Sequence, residues 1–287
     1  MIDIRILGAG DESCLDAWYA RRPDDTIFQR SNLARAGMAF ASQRYGGVYA
    51  AAFDGEDIVG VVAHYWSGFV MPLADAPEDH VRPLLDATIE ESGLPVNGVI
   101  GQRDQVGACL RSPRLRERPA RRADNETLYG LDLDALRVPE ALAAGTMSVR
   151  PIRADDLPLL TAWRVAYLTE AFNLEADDRT RAEAASEMAS SLAEKRGWVA
   201  ESDGAIRAFS GFNAALPDVV QVGGVYTPPD ARSRGLARAV VAGRLLDARA
   251  AGAARSVLFT GVDNRPAQRA YEALGYARIG DWAIVRY

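Results

Sequence analysis

The chain has 287 residues, of which 48% are hydrophobic and 25% charged, a composition typical of a globular protein with one large domain or two ordinary ones. Its formal net charge of −6 argues against general nucleic-acid binding, because phosphate contacts need an excess of Lys and Arg. Its two cysteines lie far apart and it has only two histidines, so we expect neither a disulfide framework nor a metal site.

The N-terminal residues carry early acidic side chains and no long apolar stretch, so we expect no signal peptide and a cytoplasmic protein. The segment Ile58–Ala74 contains no Asp, Glu, Lys or Arg, and a membrane span is one interpretation of it. Glycines and Pro72 interrupt the segment, and a spanning helix needs roughly 20 apolar residues. We therefore predict two buried strands with a turn near Ser67–Gly68, and no membrane contact.

The start of the chain recurs in its second half. Ile4–Trp18 aligns without a gap with Val149–Trp163 at a constant offset of 145 residues, and each segment reads as a strand, an Asp-containing turn and a helix. We infer two tandem α/β units, the first degenerate, with domains at 1–140 and 147–287. Chance similarity of short strand–helix units is the alternative.

Hairpin signals support the repeat. Val48–Val62 and Trp198–Phe209 each read as two strands, with turns predicted at Asp54–Gly55 and Asp203–Gly204. After its hairpin the first copy has no glycine turn and no arginine before a helix near Glu78–Glu91, so we expect no ligand site there. The first copy also has six arginines in Arg111–Arg122, which form either a solvated connection or a site for an anionic partner.

The second copy carries a turn suited to an anion. Gln221–Tyr226 reads as a buried strand, ended by two prolines that cannot continue a ladder. Gly235 then lets the backbone approach a ligand closely, and the helix that follows, to about Ala250, offers free N–H groups and its positive dipole end to a phosphate. Charge-assisted hydrogen bonds would come from Arg232, Arg234 and Arg238. An ordinary turn with solvated arginines is the alternative.

A further strand, Ser256–Thr260, precedes a helix that Asn264-Arg-Pro266-Ala267 opens. Arg232-x-x-Gly235-x-Ala237 and Asn264-x-x-Ala267-x-x-x-Tyr271-x-x-x-Gly275-Tyr276 together resemble the signatures of the GNAT superfamily of N-acyltransferases. The resemblance is strong over Gln221–Tyr287 and looser from Val149. The two-copy layout is similar to the branch that includes glycine N-acyltransferases, and it implies a mixed, mostly antiparallel sheet flanked by helices in each half.

The resemblance implies acetyl-CoA as cosubstrate, without a metal. The thioester arm would lie beside a strand bulge, against the backbone of Val225, Tyr226 and Thr227. The pyrophosphate would bind the turn and helix start formed by Arg232, Ser233, Arg234, Gly235, Leu236, Ala237 and Arg238. Asn264 and Ala267 would contact the pantetheine arm. Tyr271 would protonate the leaving thiolate, or would only pack at a helix–sheet seam.

The general base is the weakest part of the pattern, because Val219–Tyr226 lacks the carboxylate that many family members carry there. Trp163, Tyr167 and Glu170 lie on one helical face, so Glu170 is our candidate base and Glu201 the next, either acting through a water. The expected reaction is acetyl transfer to a primary amine of a small molecule or amino acid, by direct attack in a ternary complex. A non-catalytic acyl-CoA-binding regulatory module is the alternative. The acceptor, the acyl chain preference and the choice of monomer or homodimer stay open.

Overall fold

The computed structural model describes residues 2–38 and 43–287, and their contacts divide the chain into two compact units. The first unit contains the described residues up to Tyr129, together with Phe259–Asn264 and Arg278–Tyr287. The second contains Gly130–Leu258 and Arg265–Ala277. The final strand of the chain therefore belongs to the first unit. The domain boundaries expected from the sequence, 1–140 and 147–287, stay a prediction.

The first unit begins with a strand, two helices and three further strands. These are β1 (Asp3–Ile6), α1 (Glu12–Tyr19), α2 (Pro23–Ala36), β2 (Gly47–Asp54), β3 (Asp57–Tyr65) and β4 (Phe69–Ala74). It continues with α3 (Pro77–Ser92), β5 (Gly98–Gln102), α4 (Arg103–Leu110) and β6 (Arg122–Asp132), the last residues of which lie in the second unit.

The sheet of the first unit has the order β1-β2-β3-β4-β5, followed by β12 (Ala277–Arg286). β4 and β5 are parallel, because α3 crosses between them, whereas β1–β2, β2–β3, β3–β4 and β5–β12 are antiparallel. β2 is buried on both faces: Tyr49 and Ala51 belong to one apolar cluster with α1 and α2, and Ala50 and Ala52 to another with α3 and α4. Burial on both faces explains the continuous apolar sequence of these strands.

The second unit repeats this order of elements after the short helix α5 (Glu140–Ala143). Its elements are β7 (Ser148–Pro151), α6 (Leu157–Phe172), α7 (Asp178–Ala193), β8 (Gly197–Ser202), β9 (Ala205–Ala215), β10 (Val219–Tyr226), α8 (Leu236–Ala250), β11 (Arg255–Gly261) and α9 (Arg265–Ala273). The sheet order is β11-β10-β9-β8-β7, with β10 and β11 parallel and the other pairs antiparallel.

The predicted fold class, two α/β units each with a mixed, mostly antiparallel sheet flanked by helices, is confirmed. The alignment of the two copies is confirmed as well, since β1 and β7, and the starts of α1 and α6, differ by the same offset. The aligned aspartates play the same role, since each carboxylate accepts from the backbone N–H three residues earlier. Asp11 accepts from the Gly8 N–H at 2.9 Å, and Asp156 accepts from the Arg153 N–H at 2.7 Å.

The hairpin turns agree with prediction in the second unit only. Asp203 and Gly204 both have positive φ, as a type I′ turn requires. In the first unit the turn is not at Asp54–Gly55: Asp54 pairs with Asp57, so Gly55 and Glu56 form the loop. The physical reason is that only Gly55 takes positive φ, +64°, at the first central position of the turn.

The prediction for Ile58–Ala74 is confirmed, since β3 and β4 are buried strands joined at Trp66–Gly68. Within the described ranges, no helix is long and apolar enough to cross a membrane. Several arginines of the Arg-rich segment have partners in the same unit: Arg111 pairs with Glu78, Arg114 with Asp86 at 2.6 Å and Arg122 with Asp124 at 2.7 Å. These pairs favour the interpretation of Arg111–Arg122 as a structural connection.

α8 packs against the sheet with a mostly apolar face that also contains a fully buried arginine, Arg244. Its guanidinium lies 3.2 Å from the centroid of the Phe212 ring, and Nη1 donates to Ser210 Oγ at 2.8 Å. Burial holds the pKa of Arg244 well below its ordinary value. Nε and Nη2 have no hydrogen-bond partner among the described residues. The sequence pattern gave no indication of this side chain.

Candidate functional site

The parallel strands β10 and β11 pair over only part of their length. Val219–Gln221 lie opposite Arg255–Val257, and the register gives β10 no partner on β11 beyond Gln221, although β10 runs on to Tyr226. Its other edge stays paired with β9 as far as Tyr226. The C-terminal half of β10 therefore presents one row of backbone N–H and C=O groups to a gap, where an extended ligand can bind them.

A bulge lies at this point of β10. Gly223 pairs with Gly211 and Tyr226 with Phe209, so three steps along β10 match two along β9. Gly224 has φ +62°, which glycine adopts without strain. The expected bulge is thus confirmed. The prediction named Val225–Thr227 and missed Gly224, although two adjacent glycines inside a strand were a usable signal.

The segment after β10 forms the predicted turn before α8. Ser233 and Gly235 have φ of +64° and +79°, and such alternation directs successive N–H groups to one side, as in an anion-binding nest. The first hydrogen bond of α8 runs from Ala239 N to Gly235 O at 3.0 Å, and no described side chain caps the helix. The N–H groups of its first turn, including those of Leu236 and Ala237, thus point towards a possible anion.

Positive charge surrounds this turn. Arg232, Arg234 and Arg238 are all exposed, as is Ser233. A Cβ on Gly235 would lie 3.3 Å from Arg238 Nη2 and would crowd this guanidinium. The positive φ of Gly235 would also strain the backbone of any residue with a side chain there. The structure thus brings the predicted turn residues together as a cationic, backbone-lined surface.

Glu170 contacts the turn directly. Its Oε2 accepts from Arg232 Nη2 at 2.6 Å, while Arg232 Nε donates to the Thr227 carbonyl at 3.0 Å. The Arg232 guanidinium holds the pKa of Glu170 below its ordinary value. A carboxylate with a lowered pKa is a weaker base, so this pairing reduces the basicity of our candidate.

The other candidate base, Glu201, takes part in a structural ion-pair network. Its Oε1 accepts from Arg150 Nε at 2.7 Å, and the same guanidinium donates to Asp156 at 2.7 and 3.0 Å. Glu201 therefore fixes the β7–β8 edge together with Arg150. Its role as a base stays untested.

Tyr271 lies on α9, half-buried, with its ring centroid 5.9 Å from that of Tyr276 at an interplanar angle of 67°. Tyr276 OH and Ser256 Oγ are 2.6 Å apart, which fixes the neighbouring ring. Ala267 lies one turn earlier on the same helix. Asn264 is exposed and falls in the first unit, whereas the other predicted site residues fall in the second.

An aromatic recess opens beside the bulge. The Tyr226 ring centroid lies 5.9 Å from that of Trp163 and 6.4 Å from that of Tyr167. Burial, and after it the charge of Glu170, raise the pKa of the Tyr226 phenol, so it stays protonated near neutral pH. The sequence pattern placed Trp163 and Tyr167 on one face with Glu170, but it did not predict their contact with Tyr226.

The first unit has a larger cavity, of about 270 Å³, beside the ends of β4 and β5. There Gln105 fills the strand edge: its side chain accepts from Ala74 N at 3.0 Å and donates to Ala74 O at 2.9 Å. β4 reaches α3 through only Asp75 and Ala76, so no arginine–glycine turn is present at this point. The predicted site residues do not line this cavity.

The fold and the site define a mixed α/β unit with an opened parallel strand pair and an anion-suited turn after it. Residues 157–276 match the model of the Acetyltransferase (GNAT) family, so the chain contains a GNAT acetyltransferase family domain. A comparison with curated proteins found no match.

Solved structures share the fold over the whole chain. A Drosophila protein has a TM-score of 0.67 at 14% identity, with 99% of this chain and 98% of that chain covered. A GCN5-related N-acetyltransferase from Sphaerobacter thermophilus has a TM-score of 0.58 at 14% identity, covering 100% and 95%. A tandem GNAT protein from the clavulanic acid biosynthesis pathway has a TM-score of 0.55 at 14% identity, covering 100% and 98%.

Proposed function

We propose that this protein is an N-acetyltransferase of the tandem GNAT type, similar to the glycine N-acyltransferase branch. It would transfer the acetyl group of acetyl-CoA to a primary amine of a small molecule or amino acid, by direct attack in a ternary complex. The observation that carries the proposal is the open edge of β10 at its bulge, followed directly by the arginine–glycine turn at the start of α8.

The residues of the second unit fit an extended donor with an anionic end. The edge that β11 leaves open at Val225 and Tyr226, next to Thr227, can hydrogen-bond an amide-containing arm as an added strand would. The nest at Ser233 and Gly235, with the first N–H groups of α8, suits a pyrophosphate. Arg232, Arg234 and Arg238 supply charge-assisted donors around it.

Acetyl-CoA would supply the acetyl group as a thioester, which an amine can attack without a covalent enzyme intermediate. A backbone N–H of the bulged strand would polarise the acyl carbonyl and stabilise the developing oxyanion. The Tyr271 phenol would give its proton to the departing thiolate. Glu170, through a water, would take a proton from the incoming ammonium.

The alternative is an acyl-CoA-binding regulatory module without turnover. Two observations favour it: β10 carries no carboxylate, and Glu170 is paired with Arg232 at 2.6 Å. Steady thiol release from acetyl-CoA, measured over a panel of amines and amino acids, separates the two functions. Amine-dependent release supports the enzyme, and tight binding without release supports the module.

We further propose a cytoplasmic protein, monomeric or homodimeric, that acts on a small-molecule amine and has no nucleic-acid or membrane partner. The net charge of −6 supports the exclusion of nucleic acid, because phosphate contacts need excess positive charge. Filter binding to DNA at low salt tests the exclusion of nucleic acid. Size-exclusion chromatography with light scattering tests the oligomeric state.

A further inference from the structure

The recess beside the bulge is small and closed at its base. Its volume is about 10 Å³, and it is lined by Leu160, Trp163, Arg164, Tyr167, Met188, Phe209, Gly224 and Tyr226. A cavity of this size holds roughly one water-sized group. Its walls are mostly apolar, so a methyl group is a better occupant than a water.

The floor of the recess is a packed core. Leu160 on α6 is 1% exposed and Met188 on α7 is 3% exposed, and both belong to an apolar cluster with Phe209 on β9. Interiors packed in this way resist expansion by even a methylene. The depth of the recess is therefore fixed by side chains that can shift only with a loss of packing energy.

The recess opens at the segment that would hold the thioester. Gly224 forms the bulge, and a Cβ there would lie 3.8 Å from Phe209 Cε1, so the recess begins directly beside the backbone of this residue. Tyr226, two residues on, forms its side wall. A group attached to a carbonyl that is bound by the bulge would enter here first.

We propose that this recess receives the end of the acyl chain, so that the protein selects acetyl donors and discriminates against propanoyl and longer acyl groups. The inference rests on the proposed function and extends it to donor specificity. Met188 and Leu160 set the chain-length limit from below, and Trp163 sets it from the side. The aromatic group of an acceptor amine is a worse occupant because it needs several times this volume.

The test uses calorimetric titration of the full chain with acetyl-CoA, propanoyl-CoA, butanoyl-CoA and hexanoyl-CoA. Butanoyl-CoA should bind at least about tenfold more weakly than acetyl-CoA, since a misfitted methylene in an apolar pocket changes discrimination by about 10- to 200-fold. Met188→Ala removes the floor, so it should bring the affinity for butanoyl-CoA to within about threefold of that for acetyl-CoA.

The matched control is Met71→Ala, which truncates a methionine of similar burial in the first unit and should leave chain-length preference unchanged. If Met188→Ala does not fold, Met188→Val makes the same test with a smaller truncation.

Equal affinity of the unaltered protein for acetyl-CoA and butanoyl-CoA would overturn the inference. So would a Met188→Ala variant whose amine preference changes while its donor preference does not, because the acceptor would then occupy the recess. If no acyl-CoA binds at all, the proposed function itself fails.

Discussion

At the scale of single residues, Tyr271 carries the sharpest expectation. Tyr271→Phe keeps the ring against Tyr276 and removes the proton donor, so turnover should fall by about tenfold or more, in line with the ~10²–10⁴-fold contribution of general acids. Acetyl-CoA affinity should change little. The measurement is single-turnover kinetics with acetyl-CoA and with a second acetyl donor whose leaving thiol is more acidic. The more acidic thiol needs less protonation, so Tyr271→Phe should lower turnover less with that donor. Near-normal turnover in Tyr271→Phe would make the tyrosine a packing residue.

Glu170 and Arg232 form a pair with which a phosphate bound by Arg232 would compete. Their side chains are 52% and 43% exposed, so the pair is worth little in water, and Glu170→Gln should strengthen CoA binding by no more than about fivefold. The same change should flatten the rise of rate with pH if Glu170 is the base. Glu187→Gln is the control, because Glu187 pairs with Arg164 at 2.8 Å and does not contact the turn.

The gain in affinity must depend on Arg232. Repeating the titration with Arg232→Met, alone and combined with Glu170→Gln, gives a double-mutant cycle. Loss of the gain in the Arg232→Met background is expected. A gain of the same size in the Arg232→Met background would mean that the negative charge of Glu170 weakens CoA binding by long-range repulsion and not through its pair with Arg232.

Glu126 gives a pH dependence of stability. Burial, followed by the charge of Asp124, raises its pKa to about 7, above the ~4.3 of an unfolded chain. The folded state therefore holds this proton more tightly, and the stabilisation, complete below the unfolded pKa, is lost as pH rises through about 7. Thermal unfolding should show Glu126→Gln gaining stability relative to the unaltered protein between about pH 5 and pH 8. A constant difference over that range would contradict the assignment.

At the scale of elements, the turn before α8 should decide cofactor binding. Gly235→Asp places a carboxylate and a Cβ at φ +79°, where the pyrophosphate would approach, so acetyl-CoA binding should be abolished. Gly252→Asp, at positive φ just after the same helix, is the matched control for backbone strain. Circular dichroism checks folding in both variants. Unchanged affinity in Gly235→Asp would show that the anion site is misassigned.

The sequence predicted those elements whose signals are local. Adjacent prolines, the glycine turn and the continuous uncharged segment Ile58–Ala74 gave β10, α8 and the buried β3–β4 pair, and the resemblance gave the bulge. The residues that the sequence did not predict depend on which faces of the elements pack together. The Arg244 side chain extends from α8 against Phe212 on β9, and Gln105 closes the edge of β4. Periodicity defines the faces of an element, but it does not say what packs against them.

At the scale of the whole molecule, the two copies of one fold differ in the features that could bind a donor. The first keeps the parallel strand pair but fills its edge with Gln105 and has no arginine–glycine turn, whereas the second leaves β10 open. We therefore expect the first unit to contribute structure and the second to bind the donor.

The second copy should not be fully active alone. The final strand belongs to the first unit and pairs with β5 from Trp282 to Arg286, so a fragment of residues 147–287 would carry it without that partner. An unpaired apolar strand promotes aggregation. The fragment should be less soluble or less active than the full chain, measured by light scattering and thiol release. A monomeric, fully active fragment would refute the supporting role of the first copy.

The most direct measurement is the stoichiometry of acetyl-CoA binding to the full chain by isothermal titration calorimetry. The open strand edge and the arginine–glycine turn occur together only in the second unit, within the described residues, so one acetyl-CoA should bind per chain. Two equal sites per chain, or no binding, would contradict the account.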